Sequence, residues 1–286
     1  MSAENFVLEK IRSSNKKITK SQKLVADYLV KNAEKSTYMT ATQIGLEVGV
    51  SETTVIRFAL SIGYKRFSEL QEDFRKEIIG DRTVRRLQTA NTEVGNESII
   101  EKSFQRDIEN LKKTLAQIDE SKFNEVVNLI CKAKQIFVIG FRSSFTDANY
   151  LGFSLNTMLG NVKVVSNSGM EIEECLQTAD EESVIIAFIY PRYTKVTLEA
   201  VHYLKEEKGS KIVAITDGVH SPIIPFSDHV LLSVIESFTP NDSHCASIAL
   251  SNALISEIGK NQKERVSNNL NNLEKYFNKV SIFYER

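Results

Sequence analysis

The sequence predicts a two-domain α/β protein: an all-α head built on a helix-turn-helix, then a flavodoxin-like α/β/α domain with a five-stranded parallel sheet. Three observations predict it. Residues 41–60, ATQIGLEVGVSETTVIRFAL, place small and apolar positions at the spacing of two crossing helices. From about residue 122, short continuous apolar runs alternate with helix-length segments, as strands buried on both faces require. A chain of 286 residues is also long enough for two ordinary domains.

Within the head, assigned to residues 1–80, Gly49 supplies the left-handed backbone that ends the first helix of the pair. Gly45, four positions earlier, lets the second helix approach closely, and Ser51 is a ready N-cap for it. Ile44, Val48, Val50, Val55 and Phe58 face the rest of the head. KSQKLVADYLVKN carries Leu24, Val25, Tyr28 and Leu29 at helical spacing, and RFSELQEDFRKEI does the same with Phe67, Leu70, Phe74 and Ile78. Residues 81–96, polar and rich in Thr and Asn, read as a linker. With the charged helix that follows, they form a connecting segment over 81–121. That helix has Ile99, Ile100, Phe104, Ile108, Leu111 and Leu115 on one stripe, which needs a partner in the next domain or a second subunit.

The second domain is placed at 122–266. Its strands are expected at 135–139, 162–165, 184–190, 211–215 and 229–234, with helices at 143–159, 171–179, 194–208 and 243–259. Right-handed crossovers then give the parallel sheet. A C-terminal helix over 267–286, its pattern starting near 261, shows Leu270, Leu273, Tyr276 and Phe277 as its apolar side.

Composition excludes several classes. Hydrophobic residues at 42% and charged residues at 26% suit a soluble globular chain. The longest apolar run, Val184 to Tyr190, is too short to cross a bilayer, and MSAENFVLEK lacks the apolar core of a signal peptide. Cys131, Cys175 and Cys245 are widely spaced, without metal-ligand pattern, and read as reduced, mostly buried thiols of a cytoplasmic protein. Residues 1–90 hold 16 Lys/Arg against 11 Asp/Glu although the whole chain has a net charge of −1. A basic head on an acidic body suits contact with phosphates.

The residues just after the N-cap of a recognition helix lie nearest the base edges of duplex DNA. Here Ser51 starts that helix, and Thr53 and Arg57 share a face with Thr54 beside them. Arg57 could pair bidentately with guanine, and the threonines could meet a thymine methyl or an acceptor. Glu52 could accept from cytosine, or simply favour the helix N-terminus. Tyr64, Lys65 and Arg66 are placed to reach the phosphate backbone. Operator half-sites are usually read by paired heads, so a homodimer or homotetramer is expected.

In a sheet ordered 2-1-3-4-5, ligands lie where the loops after the first and third strands face each other. Those loops hold Arg142, Ser143 and Ser144, and Arg192 and Thr194. Guanidinium, hydroxyls and a helix N-terminus together suit an anion; the alternative for Ser143, Ser144 and Thr194 is plain N-capping. Thr197 could back the second loop, and Ser243 could close the crevice from the side. His202, His220, His229 and His244 show no metal spacing, and no catalytic set emerges. No cofactor is expected.

The run KITKSQKLVADYLVKNAEKSTYMTATQIGLEVGVSETTVIRFALSIGYKRFSEL resembles the N-terminal domain of the RpiR/MurR family of bacterial transcription regulators, through Val50-Ser51, Thr54-Val55, Arg57-Phe58 and Gly63-Tyr64. VIGFRSS, PRYTKVTLEA and KIVAITD resemble a SIS (sugar isomerase) domain. The resemblance implies a DNA-binding regulator, in the first instance a repressor, that senses a phosphorylated sugar or related anionic metabolite without isomerising it. It also shows a departure: many SIS domains carry Ser-x-Ser after the third strand, where Ile189 and Pro191 stand here. Alternatives are a SIS-type sugar-phosphate isomerase, or a constitutive DNA-binding protein that uses its SIS domain only to dimerise.

Overall fold

A computed structural model of the chain describes residues 3–14, 17–80, 83–84, 98–166 and 170–284. The chain divides into two compact units, Met1–Thr92 and Glu93–Arg286. Most of the segment read as a linker, 81–96, lies outside the described residues.

The first unit is all helical: α1 (Ala3–Ser13), α2 (Lys20–Lys31), α3 (Ala33–Ser36), α4 (Ala41–Val48), α5 (Glu52–Ser61) and α6 (Phe67–Gly80). Phe6, Val25, Ile44, Val55, Phe58 and Phe74 share one core. Capping boxes start α2 (Thr19 with Gln22) and α4 (Thr40 with Gln43), each satisfying two backbone donors. Leu24 faces outward while Gln22 is buried on α2. From α6, Arg75 donates twice to the Thr37 carbonyl (3.2 and 2.8 Å) and Gln71 donates to that of Met39. These bonds pin the segment that leads into α4.

The turn between α4 and α5 follows the sequence expectation. Gly49 has φ 75° and ends α4, and the Ser51 hydroxyl accepts from the Thr54 amide at 3.3 Å. A Cβ on Gly45 would stand 2.7 Å from the Val50 carbonyl oxygen and 3.3 Å from the Glu52 nitrogen. Only glycine allows the start of α5 to pass so near α4.

In the second unit, α7 (Ile99–Gln117) and α8 (Glu120–Lys132) precede a five-stranded sheet. The strands are β1 (Gln135–Gly140), β2 (Val162–Val165), β3 (Ser183–Ile189), β4 (Lys211–Thr216) and β5 (His229–Leu232). All neighbouring pairs are parallel, in the order β2-β1-β3-β4-β5. Helices α9 (Phe145–Leu159), α10 (Met170–Thr178) and α11 (Lys195–Glu206) connect the first four strands. Helices α12 (Cys245–Asn261) and α13 (Lys263–Val280) close the chain. Successive strand residues feed two separate cores: Ile136, Val138, Ile186 and Phe188 on one face, Phe137, Ile139, Ile185 and Ile189 on the other. That division is why each strand reads as an unbroken apolar run.

One helix is turned against expectation. On α7 the predicted apolar stripe is largely open to solvent: Phe104 is 69% and Leu115 is 72% exposed, Ile99, Ile100 and Ile108 are exposed too, and Leu111 is half-buried. The face packed on the α/β body is polar, with Asn110 and Thr114 buried. Asn110 donates to the Glu236 carbonyl at 2.7 Å, and Thr114 accepts from the Val234 amide at 2.9 Å. Arg106 adds an ion pair to Glu236 at 2.9 Å. Buried donors and acceptors must find partners, and these bonds fix the rotation of the helix. The expectation that the next domain could cover the stripe is therefore corrected. Of the cysteines, Cys175 is buried, Cys131 half-buried and Cys245 exposed, so the reading of mostly buried thiols fails at Cys245.

Candidate functional site

Two surfaces carry the residues singled out from sequence, one in each unit. In the head, Val55 and Phe58 of α5 are buried, while Thr53 and Arg57 are exposed on its outer face with the N-cap Ser51. Thr54 is half-buried, its hydroxyl 3.0 Å from that of Ser51. These two hydroxyls therefore serve the helix start as well as any external partner. Lys65 and Arg66 are exposed at the turn into α6, with Arg66 held 3.6 Å from Glu69. Tyr64 differs from this pair. Its hydroxyl donates to Asp73 at 2.8 Å, Lys10 bonds the same carboxylate at 3.2 Å, and the Lys10 ammonium stands 5.1 Å from the Tyr64 ring centroid. The bond from Tyr64, then that from Lys10, holds the Asp73 carboxyl below its ordinary value. Tyr64 thus has a structural partner, and its proton is not free for a phosphate.

In the second unit, the observed strand order reverses between β1 and β3. The loops after these strands therefore flank the position where such sheets take ligands. The first loop closes tightly. A Cβ on Gly140 would stand 2.5 Å from the Ser144 carbonyl oxygen and 2.9 Å from Ala148 Cβ, so glycine permits the 3-10 turn Arg142–Ser144 to fold back over the strand end. Arg142 (φ 57°) and Arg192 (φ 71°) both adopt left-handed backbone, shared among described non-glycine residues only with Ser281. Such conformations cost on the order of 1–3 kcal/mol and gather at ligand-binding positions. Both arginines are exposed.

The hydroxyls do not behave as caps. Ser144, buried before α9, and Thr194, before α11, make no side-chain bond to their helix amides. Thr194 instead pairs with the buried Thr197 hydroxyl at 2.6 Å. Helices α7 and α8, by contrast, are capped by Ser98 and Asp119. Plain N-capping therefore does not account for Ser144 and Thr194; α9 runs on from the 3-10 turn, whose Arg142 and Ser143 carbonyls accept from the Phe145 amide, and both helices keep the positive field of their N-termini. Ser143 is exposed beside them. Ser243 is placed otherwise than expected: its hydroxyl donates to Asp107 of α7 at 2.6 Å, tying down the loop before α12. Ile189 is buried in the sheet core, its carbonyl accepting from Thr216 at 2.7 Å, so that position offers no hydroxyl to a ligand.

Sequence reasoning passed over a second set at the same strand ends. His244, which begins α12, bonds through Nδ1 to Asp147 Oδ2 at 2.6 Å, and Asp147 is fully buried in the first turn of α9. The Tyr190 hydroxyl lies 2.6 Å from that of Ser247, and its ring packs edge-on against the imidazole at 5.9 Å. Burial pushes the Asp147 carboxyl up. It also pulls the imidazole down, but the bond to and charge of Asp147 prevail and hold His244 above its ordinary value. Tyr190 is raised well above a normal phenol by burial. The only signal in the sequence was a Tyr, a His and an Asp at the predicted strand and helix ends, with nothing to pair them. Among the described residues no group of His, Cys, Asp and Glu is arranged to hold a metal ion, and no helix is long and apolar enough to cross a membrane.

The chain matches the helix-turn-helix domain of the rpiR family over residues 5–79 and the SIS domain over residues 129–256. An HTH-type transcriptional regulator of Haemophilus influenzae is 27% identical over 245 residues, 82% of this chain and 81% of its own. Another from Clostridium perfringens is 29% identical over 241 residues, 79% of this chain and 80% of its own. Among solved structures, the sugar isomerase domain of an RpiR transcription factor from Sphaerobacter thermophilus covers 62% of this chain and 98% of its own (29% identity, TM-score 0.59). The Vibrio vulnificus NanR protein, solved in complex with ManNAc-6P, covers 98% of this chain and 100% of its own, with TM-score 0.70. At 19% identity that likeness is one of fold.

Proposed function

The chain belongs to the rpiR family of helix-turn-helix transcriptional regulators and carries a SIS domain; from that premise we propose a repressor whose α5 reads a duplex operator and whose SIS unit binds a phosphorylated sugar or related anionic metabolite. One observation carries the ligand reading: at the switch point, two arginines with left-handed backbone stand beside two helix N-termini that lack side-chain caps. An anion there would meet guanidinium groups and helix N-termini without side-chain caps together. Arg142, Ser143, Ser144, Arg192 and Thr194 are its proposed contacts, with Thr197 behind them. The NanR protein of similar fold is described with ManNAc-6P, which favours a sugar phosphate over a bare anion.

Ser51, Thr53, Thr54 and Arg57 are the proposed base-side residues, with Lys65 and Arg66 on phosphates. Two copies pair through the exposed stripe of α7, which gives each operator half-site a head. Ligand binding shifts that pairing and releases DNA. The chain catalyses no reaction in this reading and works in the cytoplasm, where the operator lies. A second reading, a constitutive DNA-binding protein with SIS only for pairing, is favoured by Ile189 and Pro191 in place of hydroxyls.

Gel retardation on the DNA upstream of its own gene, with a scrambled duplex as competitor, tests the regulator. Release by N-acetylmannosamine 6-phosphate or another sugar phosphate supports ligand control. Specific binding indifferent to every sugar phosphate supports the constitutive reading, and no preference over the scrambled duplex rejects both.

A further inference from the structure

The buried carboxylate of Asp147 is out of place as mere packing. It is fully inaccessible, it stands in the first turn of α9, and its Oδ1 has no hydrogen-bond partner among the described residues. A buried charge in that condition is expensive unless a partner is held firmly against it. The partner is His244, 97 positions away, at 2.6 Å. The imidazole is fixed from three sides: Asp147 takes Nδ1, the Tyr190 ring meets it edge-on, and the preceding Ser243 is anchored to Asp107. Its other nitrogen, Nε2, makes no hydrogen bond among the described residues, and the side chain keeps 18% of its surface accessible. Tyr190 directly follows β3, and α9 follows the turn that bears Arg142. The pair therefore lies at the strand ends that hold the proposed anion site. A carboxylate accepting from Nδ1–H fixes the tautomer and makes Nε2 more basic, hence a stronger hydrogen-bond acceptor.

We propose that His244, positioned by Asp147, is the sugar-reading residue of this crevice, with Nε2 accepting from a hydroxyl of the effector while the two arginine loops hold its anionic group. This rests on the anion site argued above and adds to it a separate, neutral subsite. A polyhydroxylated ligand bearing a phosphate satisfies both subsites. Inorganic phosphate satisfies only the first, and that difference makes the two separable.

The test is isothermal titration of the full chain with inorganic phosphate and with three sugar phosphates: N-acetylmannosamine 6-phosphate, glucosamine 6-phosphate and glucose 6-phosphate. The quantity read is the affinity ratio of the best sugar phosphate to phosphate. His244→Asn keeps a donor where Nδ1 stood and removes the reading nitrogen; His244→Gln places an amide oxygen, an acceptor, near Nε2. His244→Asn is expected to lower the ratio about tenfold, the worth of one hydrogen bond to a site built for it, with phosphate affinity unchanged and a lower melting temperature, since Asp147 loses its charged partner. His244→Gln should restore part of it. Asp147→Ala should lower the ratio as His244→Asn does, and Asp147→Asn less. An unchanged ratio in His244→Asn, or a parallel loss for sugar phosphate and phosphate, overturns the proposal. A wild-type ratio near one overturns it and leaves the anion site standing. Binding of neither class overturns the anion site and this proposal with it.

Discussion

The Tyr193 hydroxyl donates to Asp217 Oδ1 at 2.8 Å, tying the loop after β3 to the end of β4. Burial pushes the Asp217 carboxyl up to about 6, against the opposing pull of that bond. The folded value exceeds the unfolded one, so the fold favours the protonated acid. Its contribution to stability is full below about pH 4 and is lost as pH rises through about 6. The upper bound is roughly 3 kcal/mol. Asp217→Asn keeps an acceptor for Tyr193 and removes the titration. Differential scanning fluorimetry should show this variant melting higher than the parent at pH 7.5 and level with it near pH 4.5. Equal destabilisation at both values would mean that the carboxylate itself is needed.

A second prediction concerns the α4–α5 crossing. Valine at Gly45 would drive its Cβ into the Val50 carbonyl, 2.7 Å away, and this neighbour is backbone. Overpacking of this kind costs about 1–3 kcal/mol. Hydrogen exchange on full-length Gly45→Val should show lost protection over residues 41–61. Protection of β1 and β3 should be unchanged, and retarded DNA should disappear. Undiminished protection in α4 would place the close approach elsewhere.

Much of this architecture was legible because each element advertises its own burial. The strands bury both faces, so β3 appears as SVIIAFI with nothing polar after Ser183. The turn residues Gly49 and Ser51 have local chemistry that sequence displays directly. What escaped is long-range. Helix α1 contributes Phe6 and Val7 to the head core but shows too short an apolar pattern to be singled out. The α7 stripe is real, yet its direction is set by Asn110 and Thr114 bonding to residues more than a hundred positions away. Hydropathy carries no such information. The Asp147–His244 contact was hidden for the same reason.

Arg57 and the Lys65–Arg66 pair should separate specificity from attraction. Arg57 is exposed on the outer face of α5, and Glu69 holds Arg66 loosely beside the next turn. Arg57→Ala should lose about 10- to 100-fold in affinity for the operator, the worth of a bidentate base contact, and little for a scrambled duplex. Lys65→Ala with Arg66→Ala should weaken both duplexes alike and lower the salt dependence by about two counterions. Fluorescence anisotropy at several salt concentrations reads both effects. A uniform loss from Arg57→Ala would make it a phosphate contact and displace the proposed reading face.

Phe104 gives the sharpest test of the proposed pairing of two copies through α7. The helix that bears it spends its polar face on the α/β body, where Asn110 is fully buried and bonded. The helix cannot roll to hide Phe104, Ile108 and Leu115 without abandoning the Asn110 and Thr114 bonds. Leaving such buried groups unpaired costs about 1–3 kcal/mol each, so the stripe stays outward, where the proposed second copy would cover it. A glutamate in the middle of a paired apolar seam must be desolvated. Phe104→Glu should therefore raise the dimer dissociation constant by at least about a hundredfold, equivalent to ~2.7 kcal/mol. Sedimentation velocity reads the change in mass, and an unaltered melting profile of the monomer would show the fold intact. A mass unaltered by Phe104→Glu would move the pairing surface off α7, and with it the route by which a ligand at β1 and β3 reaches the DNA.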